Sequence, residues 1–358
     1  MNAARVLIVD DSALMRELLS SILGRAEGLE VVGVARDALQ AATMIERLRP
    51  DVLTLDVEMP HCDGLTFLEQ LMRTRPVPVV MVSSVTDRGS DLALRALELG
   101  AVDVVEKPKL DMQAGVMQRA DELVRKVRGA ALARPSRRQY APRTADPNAS
   151  PRTLPSLSVA RGAAMARRLI AIGASTGGTD ALSQLLSSLP SDSPPVVVVQ
   201  HMPAAFTGKF ALRLDAACRI RVREAKDGDK LEQGVALIAP GGRHLRVVAE
   251  NGALVARLRD EPASALHRPS VDVLFESVAS AAGKRAIGVI LTGMGADGAR
   301  GLLEMRRAGA RTFAQDEATC VVFGMPKEAI ARGAVERALP LNGISSAVIQ
   351  VASERSSG

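Results

Sequence analysis

Apolar and polar positions along the first 110 residues repeat in one rhythm. Short apolar runs at Val6–Val9, Val31–Val34, Val52–Leu55, Val77–Val82 and Val102–Val105 alternate with stretches of helical period. Examples of the latter are Ala13–Leu23 behind Ser12 and Leu65–Met72 behind Asp63. Apolar runs of this length bounded by polar turns read as strands buried on both faces. A Ser or Asp just before a periodic segment reads as a helix N-cap. Five such strand–helix units predict an α/β fold with a five-stranded, parallel, doubly wound sheet. Its last helix is expected over Met112–Val127.

The pattern then dissolves. From about Val127 to Arg168 there is no apolar period, and Pro135, Pro142, Pro147, Pro151 and Pro155 are interleaved with Arg, Ser and Ala. This stretch is expected to be a flexible linker. Order returns with a strand at Leu169–Gly173, a Ser/Gly turn and a helix running to Leu189. A second strand, Val196–Val199, leads into Gln200 and His201. Residues Ile220 to Leu258 alternate around glycine turns and predict short β hairpins. A further strand–loop–helix unit follows, with a strand at Ile287–Leu291 and a helix at Ala299–Arg307. Another strand is expected near Thr312–Ala314. The second half therefore predicts another α/β domain with a mostly parallel sheet. The expected organisation is a first domain over 1–126, a linker over 127–168 and a second domain over 169–352. A chain of 358 residues is longer than one core usually serves.

Charge changes this picture in one respect. The net charge is +6, but residues 127–168 hold nine Arg and one acid, Asp146, so the remainder sums to about −2. The excess positive charge belongs to the linker and makes no nucleic-acid-reading face. Six Phe, one Tyr and no Trp leave no stacking platform for single-stranded nucleic acid. The three cysteines, Cys62, Cys218 and Cys320, have no C-x-x-C spacing, which points away from a disulfide framework or zinc site and fits a reducing cytosol. No apolar run approaches the roughly 20 residues of a membrane helix. No signal peptide is expected, because the first strand starts at once.

Ligands of open parallel sheets bind beyond the carboxyl ends of the strands. In the first domain, Asp10 and Asp11 follow the first strand, Asp56 ends the third, Ser83 the fourth and Lys107 the fifth. Three clustered carboxylates suit a hard, oxygen-ligated cation such as Mg²⁺, and Lys107 supplies a fixed positive charge. A nucleophilic carboxylate, a metal, a cation and a hydroxyl are what an aspartyl phosphate requires. The segments VLIVDDS, LTLDVEMPHCDG, VVMVSS and VVEKP resemble the receiver domains of bacterial response regulators across residues 5–110. That resemblance implies phosphorylation of Asp56 by a histidine kinase and Mg²⁺ held by Asp10, Asp11 and Asp56. It also implies Ser83 and Lys107 as the phosphorylation switch, and a cis bond at Lys107–Pro108. Where receivers often carry an aromatic switch residue, this chain has Val104, so control is expected to run through the domain interface.

The second domain holds His201, His244 and His267, with His61 the only other histidine. His201 alone directly follows a buried strand on the ligand-bearing edge. GASTGG places Ser175 in a strand-to-helix turn, where a hydroxyl can be exposed and backbone N–H groups can face an oxyanion. LTGMGADG places Asp297 in a glycine loop between a strand and a helix. Ser175, His201 and Asp297 can form a Ser–His–Asp triad. A second reading competes. Gly293, Gly295 and Gly298 spell G-x-G-x-x-G, and Asp316 and Glu317 follow near the spacing of a ribose-binding acid. On residue chemistry alone both a serine hydrolase and a nucleotide-binding oxidoreductase stay open.

The segments IGASTGGTDAL, QHMPAAFTGKFALRL, IAPGGRHL, HRPSVDVLFES, LTGMGADGARGL and AQDEATCVVFGMPKEAI resemble the bacterial chemotaxis protein-glutamate methylesterases over about residues 169–350. The resemblance implies Ser175 as nucleophile, His201 as base and Asp297 as its orienting acid. It implies oxyanion or cleft roles for Thr176, the Met294 N–H, Met202 and His267. The implied activity is removal of methyl esters from receptor glutamates, and deamidation of receptor glutamines by the same triad, with no cofactor for the hydrolysis. The implied partners are methyl-accepting chemoreceptors and a chemotaxis histidine kinase. No nucleic acid and no membrane insertion are expected. The implied setting is the cytoplasm, with recruitment to membrane receptor arrays, and a monomer is the default expectation.

Overall fold

The structure is a computed structural model that describes residues 3–59, 64–84, 86–108, 113–133, 165, 168–260 and 267–354. His61, Cys62, Asp63, Met112 and most of the expected linker lie outside the described residues.

The first unit is built on β1 (Ala4–Val9), β2 (Leu29–Ala35), β3 (Val52–Asp56), β4 (Val79–Ser83) and β5 (Asp103–Glu106). They form one sheet in the order β2-β1-β3-β4-β5, with every pairing parallel. β3 and β4 are buried at every position, which is why they read as unbroken apolar runs. The crossovers are α1 (Ala13–Gly24), α2 (Ala38–Leu48), α3 (Gly64–Thr74), α4 (Asp87–Glu98) and α5 (Gln113–Ala131). Ser12 caps α1 by accepting the Met15 N–H, and Asp37 and Thr86 do the same for α2 and α4. The strand order changes direction between β1 and β3, so the crevice for a ligand opens beyond their carboxyl ends.

α5 runs on to Ala131, past residue 127 where the linker was expected to begin. Leu123, Val127 and Ala130 keep a helical apolar face, and all three are fully buried. Lys126, also buried, reaches Asp103 Oδ1 at 2.7 Å and the Val104 carbonyl at 2.8 Å, tying α5 to β5. Burial opposes its charge, but Asp103 and Glu122 outweigh that and hold the ammonium above its ordinary range.

The second unit carries a seven-stranded sheet, made of β6 (Leu169–Ala174), β7 (Val196–Gln200), β8 (Arg221–Glu224), β9 (Val235–Ile238), β12 (Ala286–Ile290), β13 (Arg311–Gln315) and β14 (Arg337–Leu339). Its order is β14-β13-β12-β6-β7-β9-β8, parallel throughout. A separate antiparallel hairpin joins β10 (His244–Glu250) and β11 (Ala253–Arg259). The α-helices among its described residues are α6 (Gly178–Ser187), α7 (Ala204–Ala217), α8 (Val271–Ala282), α9 (Ala299–Arg307), α10 (Met325–Ala331) and α11 (Leu341–Ser353).

The expectation of hairpins across Ile220–Leu258 holds only for β10–β11. β8 and β9 instead extend the main sheet in parallel. β8 lies at the sheet edge and is only partly covered, so it alternates like a hairpin strand.

Two glycines allow the core to close around Val271, the first residue of α8. A Cβ on Gly173 would collide with Val271 Cγ1, and one on Gly298 would lie 2.5 Å from the same atom. Gly298 also adopts φ +93°, a conformation that costs other residues roughly 1–2 kcal/mol. The glycines of GASTGG and GADG thus bring β6 and the start of α9 against the start of α8.

Candidate functional site

In the first unit, Asp10 and Asp56 are buried and Asp11 is exposed at the carboxyl ends of β1 and β3. One oxygen from each of the three lies within 4.8 Å of the others. Lys107 Nζ sits 2.7 Å from Asp56 Oδ2 and 3.1 Å from Asp10 Oδ2. Burial, helped by the Asp10 charge and opposed by Lys107, pushes the Asp56 carboxyl up to about 6. Burial also works against the Lys107 charge, yet Asp56 and Asp10 prevail and hold it above its usual range. Three convergent oxygens beside one lysine leave excess negative charge, which fits a divalent cation bound by Asp10, Asp11 and Asp56.

Ser83 ends β4 fully buried, and its hydroxyl donates to the Gly89 carbonyl at 3.0 Å. Its neighbour Ser84 donates to Glu58 Oε2 at 2.7 Å. Val104 is fully buried in β5, so no aromatic ring and no exposed side chain stands there. The cis peptide among the described residues joins Arg268 to Pro269, and the one expected at Lys107–Pro108 is not found.

In the second unit, β6 and β7 are adjacent and parallel, with Ala174 the register partner of Gln200. Ser175 follows Ala174 and His201 follows Gln200, and the His201 N–H donates to the Ala174 carbonyl at 3.1 Å. Strand register therefore sends the Ser175 and His201 segments off the sheet at one level. β12 lies on the other side of β6, and the loop after it carries Met294 and Asp297.

His201 Nε2 lies 2.8 Å from Asp297 Oδ2. Burial works to raise the Asp297 carboxyl, but the His201 bond and charge and the N–H groups of Asp272 and Val271 hold it well below the ordinary carboxylate range. An ionised carboxylate can only accept, so Nε2 is the donor of this bond. Nδ1 is buried with no hydrogen-bond partner. The His267 ring stacks on His201 with centroids 3.9 Å apart and planes 9° from parallel. Thr176 and Met202, next to Ser175 and His201, are both buried.

The loop bearing Met294 is held from behind. Gly324 and Met325 both donate to the Gly293 carbonyl, at 3.1 and 2.8 Å. A Cβ on Gly324 would lie 2.6 Å from that carbonyl oxygen. The buried Gln315 side chain accepts the Thr292 N–H at 2.9 Å.

Sequence reading missed three residues here. Ser270 donates its hydroxyl to Asp297 Oδ1 at 2.8 Å, Asp272 accepts the Gly298 and Gly301 N–H groups, and His244 Nδ1 accepts the Ser270 N–H at 3.3 Å. A Ser before an apolar helix signals a cap. Nothing in the local pattern says that the cap faces Asp297.

Residues 170–348 match the CheB methylesterase family, and residues 6–116 match the response regulator receiver domain. A protein-glutamate methylesterase/protein-glutamine glutaminase from Cupriavidus pinatubonensis is 54% identical over 96% of this chain and 95% of its own. Another, from Geobacter metallireducens, is 54% identical over 94% of this chain and 93% of its own. The chain belongs to the CheB methylesterase family. Its second unit superposes on the methylesterase catalytic domain of CheB from Thermotoga maritima, with TM-score 0.51, 39% identity and coverage of 51% of this chain and 98% of that one.

The oxidoreductase alternative finds no support in this membership. The glycine loop has other work: Asp297 within it faces His201, and Gly298 makes room for Val271. Asp316, read as a ribose ligand, instead accepts the N–H and hydroxyl of Thr319 at 3.0 and 2.6 Å. Among the described residues, no helix is long and apolar enough to cross a membrane.

Proposed function

We propose that the chain hydrolyses the γ-methyl esters of glutamates on methyl-accepting chemoreceptors, through Ser175, His201 and Asp297, under control of phosphorylation at Asp56. The observation that carries the reading is the 2.8 Å bond from His201 to an ionised Asp297, which leaves Nδ1 buried and free to take a proton. The register of Ala174 with Gln200 supports Ser175 as the donor of that proton.

In the proposed reaction Nδ1 takes the proton of the Ser175 hydroxyl as Oγ attacks the ester carbonyl. The tetrahedral oxyanion is held by the Met294 N–H, with Thr176 beside it; Met294 makes no backbone hydrogen bond of its own among the described residues. His201 returns the proton to the leaving methoxide, and methanol departs. Water then attacks the acyl-enzyme with His201 again as base, releasing the glutamate and restoring Ser175. His267 holds the His201 ring plane by stacking, and Met202 lines the cleft. A primary amide fits the same steps with ammonia leaving. The names of the relatives, which pair methylesterase with glutaminase, favour deamidation as a second reaction.

In the receiver, Asp10, Asp11 and Asp56 would hold Mg²⁺, which would neutralise charge on an incoming phosphoryl group. Asp56 attacks the phosphorus of a phosphohistidine as its P–N bond breaks and the donor imidazole leaves, Lys107 pairs with the resulting acyl phosphate, and the Ser83 hydroxyl leaves the Gly89 carbonyl to bind it. The phosphodonor is a chemotaxis histidine kinase, and the protein acts at receptor arrays in the cytoplasm. Methanol release from methylated receptors, with and without acetyl phosphate and Mg²⁺, tests the whole scheme. Ser175→Ala should lower the rate by about 10³-fold or more. Near-parental release by that variant would remove Ser175 from the mechanism.

A further inference from the structure

Asp297 lies in the glycine-bearing loop between β12 and α9. Gly295 and Gly298 flank it at φ +92° and +93°. Its carboxylate accepts four hydrogen bonds. Oδ1 takes the Ser270 hydroxyl at 2.8 Å and the Asp272 N–H at 3.0 Å, and Oδ2 takes the Val271 N–H and His201 Nε2, each at 2.8 Å. Three of the four come from the first turn of α8 and its cap, so that helix end sets the plane of the carboxylate.

The bonding is reciprocal. Asp272 Oδ1 accepts the Gly298 N–H at 3.0 Å and the Gly301 N–H at 2.7 Å. Gly298 is the N-cap of α9 and has no side chain to cap it. Each helix start is thus capped by a carboxylate from the other, and the anchor from Asp272 falls one residue beyond Asp297. A Cβ on Gly301 would lie 2.7 Å from the Asp272 carbonyl and from Phe275 Cβ, so the two helices meet with no slack. The arrangement works against itself electrostatically. Burial, together with the nearby Asp297 charge, raises the Asp272 carboxyl.

We propose that Asp272 and Ser270 are positioning residues that fix the Asp297 carboxylate against His201. This rests on the triad reading above. Asp272 anchors the loop, Ser270 fixes the rotation of the carboxylate, and both act on turnover through Asp297 without touching substrate.

The test is methanol release by the full chain from methylated receptors, with acetyl phosphate and Mg²⁺, resolved into kcat and KM. Asp272→Ala should lower kcat about 10- to 100-fold with KM within about twofold, since small misplacements of catalytic groups cost rates of that order. Asp272→Asn keeps the acceptor oxygen and should stay within about threefold of the parent. Ser270→Ala should lower kcat several-fold, and Ser270→Thr, which keeps the hydroxyl, should recover most of it. Parental kcat in Asp272→Ala, with only a lower melting temperature, overturns the proposal. If Asp272→Ala does not fold, parental kcat in Ser270→Ala overturns it. Ser175→Ala run alongside separates the two levels. An inactive Ser175→Ala beside a fully active Asp272→Ala rejects the positioning role alone, whereas an active Ser175→Ala rejects the triad itself.

Discussion

Asp56 ends β3 and Asp297 lies in the loop that follows β12, both on the carboxyl side of a parallel sheet, yet their surroundings push them in opposite directions. Asp56 is buried beside Asp10 with one lysine and one backbone N–H, from Glu58, and its carboxyl rises to about 6. The Asp297 side chain is also largely covered, but two N–H groups of a helix end, a hydroxyl and an imidazole surround it, and its carboxyl falls below the ordinary range. Burial is the largest influence on both. What decides the sign is how many donors the fold aims at the oxygens. A carboxylate short of donors has lone pairs left for a metal and for phosphorus. One saturated with donors is a fixed charge, suited to orient an imidazole.

Four experiments can break or sharpen that contrast. The largest effect should come from Asp297→Asn, which keeps shape but no longer enforces the Nε2–H tautomer of His201. We expect kcat to fall by about 10³- to 10⁴-fold with the fold retained by circular dichroism. In the receiver, Asp56→Asn should abolish stimulation, so that the ratio of methanol release with and without acetyl phosphate drops to about one. Stimulation that survives would place the phosphoryl group elsewhere.

The third concerns stability. A carboxyl held below its unfolded value stabilises the fold above that value, near 3.9, and the contribution fades as pH falls through the lowered one. Asp297→Asn should therefore flatten the loss of stability on acidification below about pH 4, measured by urea unfolding at stepped pH. It should also cost about 1–2 kcal/mol at neutral pH from weakened capping of α8. An unchanged acid limb would contradict the assigned direction. The smallest effect should come from Arg300→Ala. Arg300 lies 2.8 Å from Glu276 and 3.8 Å from Asp272 but is largely exposed, so its loss should change stability by no more than about 0.5 kcal/mol in the same assay.

The first unit was legible almost entire. Its strands are continuous apolar runs, its caps are Ser12, Asp37 and Thr86, and its acids fall at strand ends, all of which are local features. The second unit was legible where strands were fully buried, as at Leu169, Val196 and Ile287, and misread where burial was partial, as at β8. The end of α5 was placed too early because arginines interrupt an apolar face that Val127 and Ala130 continue.

By itself, the sequence determined two parallel α/β units and the strand-end positions of Asp10, Asp56, Ser83, Lys107, Ser175 and His201. Those follow from period and from the rule that parallel sheets bind ligands at their carboxyl ends. Only the tertiary structure decided what the glycine loop at Gly293–Gly298 is for, because one motif can cradle a phosphate or present an acid. It also decided that Ser270 and Asp272, some 25 residues before Asp297, supply its donors and its anchor. Donor geometry sets whether a buried carboxylate is reactive or fixed, and it arises from helix ends that meet only when the sheet has closed.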